Sequence, residues 1–84
     1  MATYYNPPAD IPRIGRKLVR SDYAGLVDQL RPGEVLIGLY DSPDPHLAAP
    51  LIDSAQEYAQ QERRVPAAGF YAVPTGQAQH GFGP

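Results

Sequence analysis

The chain has 84 residues, a formal net charge of −2 and no cysteine. A chain of this length makes one small domain, which buries only about 60% of the surface that its unfolded form exposes. The lack of cysteine excludes a disulfide scaffold and a thiolate metal site. The first residues have no apolar segment of the signal-peptide kind, and no apolar run is long enough to span a bilayer, so a cytoplasmic location without membrane contact is expected.

The two ends of the chain differ in composition from the middle. Residues 1–12 contain Pro7, Pro8 and Pro12, which predict an extended, polyproline-like arm. Residues 74–84 are polar, glycine-rich and aperiodic, which predicts a flexible tail. Residues 13–73 are therefore expected to form a single folded domain.

The first part of this domain predicts a strand and then a helix. Residues 14–20 are interpreted as a strand with Ile14 and Leu18 on one face. Ser21 is a suitable N-cap for the helix that follows, and the Pro32-Gly33 pair ends it. The expected buried face of the helix consists of residues at i, i+3, i+4 and i+7. These residues are Tyr23, Leu26, Val27 and Leu30.

The segment from Val35 to Tyr40 is apolar on both faces of a strand, which is typical of a strand with neighbours and cover on each side. Val35, Ile37 and Leu39 alternate with Leu36 and Tyr40, so the two sets are expected on opposite faces. Gly38, which lies within this strand, predicts a bulge or a close approach by another group.

Residues 45–53 permit two interpretations. A helix could begin with Asp44 as N-cap and Pro45 in the first turn, but Pro50 would then lie inside it at a cost of about 3 kcal/mol. Alternatively, "HLAAPLID" is an edge strand, where proline is tolerated. The second interpretation is slightly favoured. It places a helix start at Ser54, with Glu57 completing a capping box.

A last strand is predicted over residues 67–73. The order strand, helix, strand, strand, helix, strand is the βαββαβ pattern of the ferredoxin-like α+β fold. Two helices would cover one face of an antiparallel sheet. The other face would be open or would pair with a second copy of the chain.

The sequence offers little that could carry catalysis. It contains no phosphate-binding, dinucleotide-binding, zinc-protease, calcium-loop or nucleophile-elbow motif. Asp41, Asp44 and His46 have a spacing that could hold a divalent ion, but aspartate before proline is ordinary turn chemistry. We therefore expect a protein without enzymatic activity, cofactor or metal.

One basic cluster could recognise an anion. Arg13, Arg16, Lys17 and Arg20 lie within eight positions, and arginine can clamp a phosphate group with two hydrogen bonds. A nucleotide or phosphorylated metabolite would be the ligand. The overall negative charge argues against nucleic acid. The simpler interpretation is a charged sheet edge that discourages aggregation, and it is favoured about two to one because an edge strand needs such protection.

The expected function is protein binding. Tyr4 and Tyr5, with Pro7 and Pro8 beside them, suit docking on a partner, because tyrosine is enriched at interface hot spots. A small domain with an uncovered sheet face or free edges tends to be completed by a second copy or by a partner. The small size, the lack of cysteine and the lack of catalytic motifs fit the general style of accessory proteins of bacteria and their viruses, although no particular residue indicates this. An inhibitor or adaptor of a larger protein is thus the expected kind of role.

Overall fold

The computed structural model describes residues 8–64 and 67–76, and it shows an α+β fold. In chain order, a 3-10 turn at Pro8–Asp10 leads into α1 (Ile11–Ile14), β1 (Arg16–Lys17), α2 (Tyr23–Asp28) and β2 (Glu34–Leu39). Then follow α3 (Pro45–Ala48), α4 (Ala55–Arg64) and β3 (Gly69–Pro74). No helix in these ranges is long and apolar enough to cross a membrane.

The sheet has three strands in the order β1-β3-β2, and both pairs are antiparallel. Strand β3 is therefore the central one, although it follows both of its neighbours in the sequence. The α+β class is confirmed. The full ferredoxin-like arrangement is not confirmed, because the predicted third strand is reduced to one bridge, between Leu51 and Ile37.

Both interpretations of residues 45–53 are correct in part. A short helix does begin at Pro45, but it ends at Ala48, before Pro50. The chain then runs beside β2, where the Tyr40 N–H donates to the carbonyl of Ala48 and the Gly38 N–H to that of Pro50. The next helix, α4, begins as predicted, with the Glu57 N–H donating to Ser54 Oγ at 3.1 Å.

The first face of the sheet is covered by α2 and α4, as predicted for the two helices. Its buried cluster is centred on Leu26, Leu36 and Phe70, against which Tyr23 and Tyr58 pack. The N-cap of α2 is Asp22 rather than Ser21, because the Asp22 carboxylate accepts the Gly25 N–H at 2.9 Å. Val27, expected to be buried, is 40% exposed, since this six-residue helix buries a narrower face.

The extended conformation predicted for residues 8–12 is wrong, and so is the strand predicted to begin at Ile14. Asp10 and Pro12 favour a helical turn, because Asp10 bonds Arg13 and proline is tolerated in a first turn. Ile11 is consequently 0% exposed. It packs on the face of the sheet opposite to α2 and α4, which we call the second face. Residues 8–12 therefore belong to the folded part and not to an extended arm.

Gly15 permits this turn to lie close to β3. Its N–H donates to the Ile11 carbonyl at 2.8 Å. A Cβ placed on Gly15 would lie 2.9 Å from that same oxygen and 3.0 Å from Cγ2 of Val73 on β3. The backbone changes here from a helical turn to a strand. Ile14 consequently packs on the second face, whereas Leu18 packs on the first. The prediction that these two side chains share a face is therefore wrong.

Candidate functional site

The basic cluster is spread over α1, β1 and the segment after β1, and its arginines pair with carboxylates of the same chain. Arg13 forms an exposed ion pair with Asp10 at 2.8 Å. The exposed Lys17 is the one member for which the described residues provide no ion pair.

Arg16 links β1 to α2 and β2. Its Nη2 donates to Glu34 Oε1 at 2.6 Å and to the carbonyl of Gln29 at 3.0 Å. The same Glu34 oxygen accepts the Arg31 N–H at 2.7 Å. This backbone hydrogen bond and the Arg16 guanidinium lower the pKa of Glu34 against the opposing effect of burial.

The Glu34 contacts predict loss of stability in acid. Because the folded pKa of Glu34 is lowered below its ordinary value of 4.5, its contribution is present above that pH and disappears as the pH falls through the folded pKa. Glu34→Gln should lower the melting temperature at neutral pH and flatten its decline below about pH 4.5. Thermal melts by circular dichroism across this range measure both effects.

Asp28→Asn is the matched control, since Asp28 is an exposed carboxylate on α2. It should leave both the neutral melting temperature and the acid slope unchanged. Equal acid slopes for Glu34→Gln and the parent chain would refute the role assigned to Glu34.

Arg20 belongs to a second polar group, between α4 and the start of β3. Its guanidinium carbon lies 5.3 Å from the centre of the Phe70 ring, and its Nη2 donates to the Ala67 carbonyl. The Glu62 carboxylate is 4.0 Å from Arg20 and accepts the Ala67 N–H at 3.1 Å. Glu62 also accepts the Tyr40 hydroxyl, whose pKa is raised first by burial and then by Glu62.

These contacts assign the arginines structural roles. A phosphate at Arg16 would have to displace Glu34, which is also held by the Arg31 N–H. Arg20 is 54% exposed and lies 4.0 Å from Glu62, but its Nη2 is already committed to the Ala67 carbonyl. Surface ion pairs such as Arg13–Asp10 contribute little by themselves. The anion-binding prediction stays a prediction, and the described geometry favours a stabilised sheet edge instead.

The described residues cover the second face of the sheet only in part. Fully buried Ile11, Ile37 and Val73 form its centre together with Ala49. Around this centre lie apolar side chains that all remain half-buried, and we call them the rim. The rim consists of Ile14, Val35, Leu39, Leu51 and Tyr71.

The edge of the sheet beyond β1 is closed at Val19 by a side chain. The Val19 N–H donates to Gln29 Oε1 at 2.8 Å, and Gln29 Nε2 donates to the Val19 carbonyl at 2.7 Å. The carboxamide of Gln29 thus occupies the position that a peptide group of another strand would take. Val19 itself is 75% exposed.

The opposite edge, along residues 49–53, has no such cover from the residues that the structure describes. The Gly38 N–H donates to the Pro50 carbonyl at 3.1 Å and the Ile52 N–H to the Leu36 carbonyl at 2.9 Å. Leu51, between these bonds, has no hydrogen bond from its own N–H or C=O within the described residues. This edge is therefore open at Leu51.

The other candidates for chemistry have structural roles or lie outside the described part. Ser54 caps α4 and Ser21 donates to Asp22. Among the side chains that the structure describes, no three acidic, histidine or cysteine residues form a metal cluster; the side chain of His46 is outside that set.

The predicted contact residues of the arm are mostly outside the described ranges. Tyr4, Tyr5 and Pro7 lie there, and Pro8 is described only as the start of the 3-10 turn. Sequence reasoning missed Ile11, because the prolines on either side of it predicted an extended arm and not a helical turn. It also missed Gln29, because a polar residue at the end of a helix is common and does not indicate a contact with a sheet edge.

The chain matches no protein-family model, no curated protein and no solved structure at a significant level.

Proposed function

We propose that the protein is a non-enzymatic binding module that self-associates or docks on a larger protein through the second face of its sheet. The observation that supports this is the partial cover of that face by α1. Ile11 is fully buried, whereas every rim residue keeps part of its side chain exposed.

The rim has the composition of an interface core. It consists of aliphatic side chains and one tyrosine, and tyrosine is enriched where binding energy concentrates. Leu39 on β2 and Leu51 on the neighbouring segment both belong to it, so the rim extends to the open edge. A partner that covered the rim would bury apolar surface that α1 leaves in water.

The arm is proposed to contribute to the same contact because of its place in the sequence. Residues 1–7 precede the 3-10 turn whose continuation buries Ile11 on the second face. Tyr4, Tyr5, Pro7 and Pro8 are therefore proposed to add contacts to a partner bound there. An accessory or inhibitory role on a larger cytoplasmic protein is the wider form of this proposal.

The test is the mass of the chain in solution. Leu39→Lys adds a charge to the rim and should weaken self-association about tenfold or more, because an unpaired charge would be buried at the contact. Analytical ultracentrifugation over a range of protein concentrations measures this. Removal of residues 1–7 should weaken association as well, and the deletion stops there because Ile11 belongs to the core.

Val27→Lys is the matched control, because it adds the same charge at a 40% exposed position on α2, which packs on the first face. It should leave the association unchanged. A chain that is monomeric at every concentration, or equal weakening by both lysine variants, would overturn self-association through the second face.

A further inference from the structure

We infer that two copies of the chain join their sheets at the open edge, with Leu51 of each copy paired antiparallel across a two-fold axis. This inference rests on the proposed self-association and specifies its geometry. It is carried by the direction of the backbone groups at both edges of the sheet.

The hydrogen bonds to β2 fix the direction of the Leu51 backbone. In an antiparallel pair, the backbone groups of successive residues point alternately toward the neighbouring strand and away from it. Pro50 and Ile52 both bond to β2, and Leu51 lies opposite Ile37 between them. The N–H and C=O of Leu51 therefore point outward, where a further strand could bind them.

Pro50 does not interrupt this outward row. Proline has no N–H, and a proline in a sheet normally removes a ladder hydrogen bond. Pro50 directs its carbonyl toward Gly38 of β2, so its missing N–H also falls on the inner side. The proline weakens the contact with β2 and leaves the outer side intact.

The other edge is protected against the same contact. The backbone groups of Val19 are both occupied by Gln29, and the exposed Lys17 adds a charge, a common protection of sheet edges. Strand addition is thus directed to the Leu51 edge. Within the described part of each copy, only the Leu51 edge is neither blocked nor charged, so the assembly closes as a dimer rather than growing into a fibre.

A second copy fits this edge because the edge is self-complementary. With Leu51 on the axis, each outward N–H faces the outward carbonyl of the partner's Leu51, and Ala49 lies opposite the partner's Asp53. The Leu51 side chain belongs to the rim. Pairing therefore brings the two half-covered faces side by side as one continuous apolar surface.

The experiment uses single-cysteine variants of the full chain, which has no cysteine of its own. In a hydrogen-bonded antiparallel pair, opposite Cα atoms lie about 5.5 Å apart, within the range that a disulfide spans. Leu51→Cys should form a covalent dimer under mild oxidation about tenfold faster than Val19→Cys, because pairing raises the effective thiol concentration. Val19 is the matched edge position, since Gln29 blocks it.

Equal rates for the two variants, with a dimer seen by ultracentrifugation, would overturn the edge pairing and leave self-association through the second face intact. A monomeric parent chain would overturn both. Circular dichroism establishes that Leu51→Cys is folded. If it is not, hydrogen exchange on the parent decides: the Leu51 amide should exchange about tenfold more slowly at high protein concentration than at low. Exchange independent of concentration would refute the pairing.

Discussion

Ile11→Ala should lower the free energy of unfolding by about 2–4 kcal/mol, which is the range for removing a large aliphatic side chain from a core. Ile11 is 0% exposed and packs with Ile37 and Val73 on the second face. A helical turn of four residues has little stability of its own, so its place on the sheet depends on the burial of Ile11. Urea unfolding followed by circular dichroism measures the change.

Arg13→Ala is the control for this substitution, because it alters the same turn at a side chain that is 70% exposed. It removes only the exposed ion pair with Asp10, so a change within about 0.5 kcal/mol is expected. If Ile11→Ala lowered the free energy of unfolding no more than Arg13→Ala does, residues 8–14 would not belong to the core.

Gly38→Ala should cost about 1–3 kcal/mol, the usual range for overpacking. A Cβ at this position would lie 2.6 Å from Cε1 of Tyr40. The Tyr40 ring is 7% exposed and its hydroxyl donates to Glu62, so it cannot turn away without breaking that bond. The same unfolding measurement applies.

Two further variants separate the clash from the intrinsic effect of alanine. Gly76→Ala, where a Cβ would meet nothing within 4 Å, should change stability by less than about 0.5 kcal/mol. In a Tyr40→Ala background the Gly38→Ala cost should largely vanish, because the two residues would no longer be in contact. Additive effects of Gly38→Ala and Tyr40→Ala would show that the ring is not the obstacle.

Local patterns were sufficient to predict several elements. The alternation in β2 placed Val35, Ile37 and Leu39 on one face and Leu36 and Tyr40 on the other, and the clusters have this division. The start of α4 followed from the Ser54 and Glu57 pair. These patterns depend on residues close in sequence, so one chain is enough to recognise them.

The order of the strands could not be predicted in this way. Pairing of β3 with both β1 and β2 is set by which apolar faces meet in space, and a βαββαβ string is compatible with more than one arrangement. The proline-rich start was misinterpreted for a related reason. Pro12 restricts the backbone in an extended arm and in a first helical turn alike, and only burial of Ile11 distinguishes the two.

The sequence predicted a protein-binding surface but not the residues that form it. Tyrosines and prolines of the arm indicated protein contacts, but the rim is assembled from α1, β2, β3 and the Leu51 segment. The basic cluster was visible in the sequence, whereas the carboxylates that pair with Arg16 and Arg20 lie far along the chain. No local pattern connects those pairs.

The central position of β3 has a consequence for how the chain reaches this structure. In the described sheet, β1 pairs only with β3. The paired residues Arg16 and Ala72 are separated by most of the described sequence. The loop between them must close before this contact forms, and high contact order of this kind slows folding. During synthesis on a ribosome, α2 and β2 emerge well before β3, which connects the sheet. Their apolar faces therefore remain exposed to water until β3 has been made. Acquisition of the fold should therefore be a late, all-or-none event that requires residues 69–74.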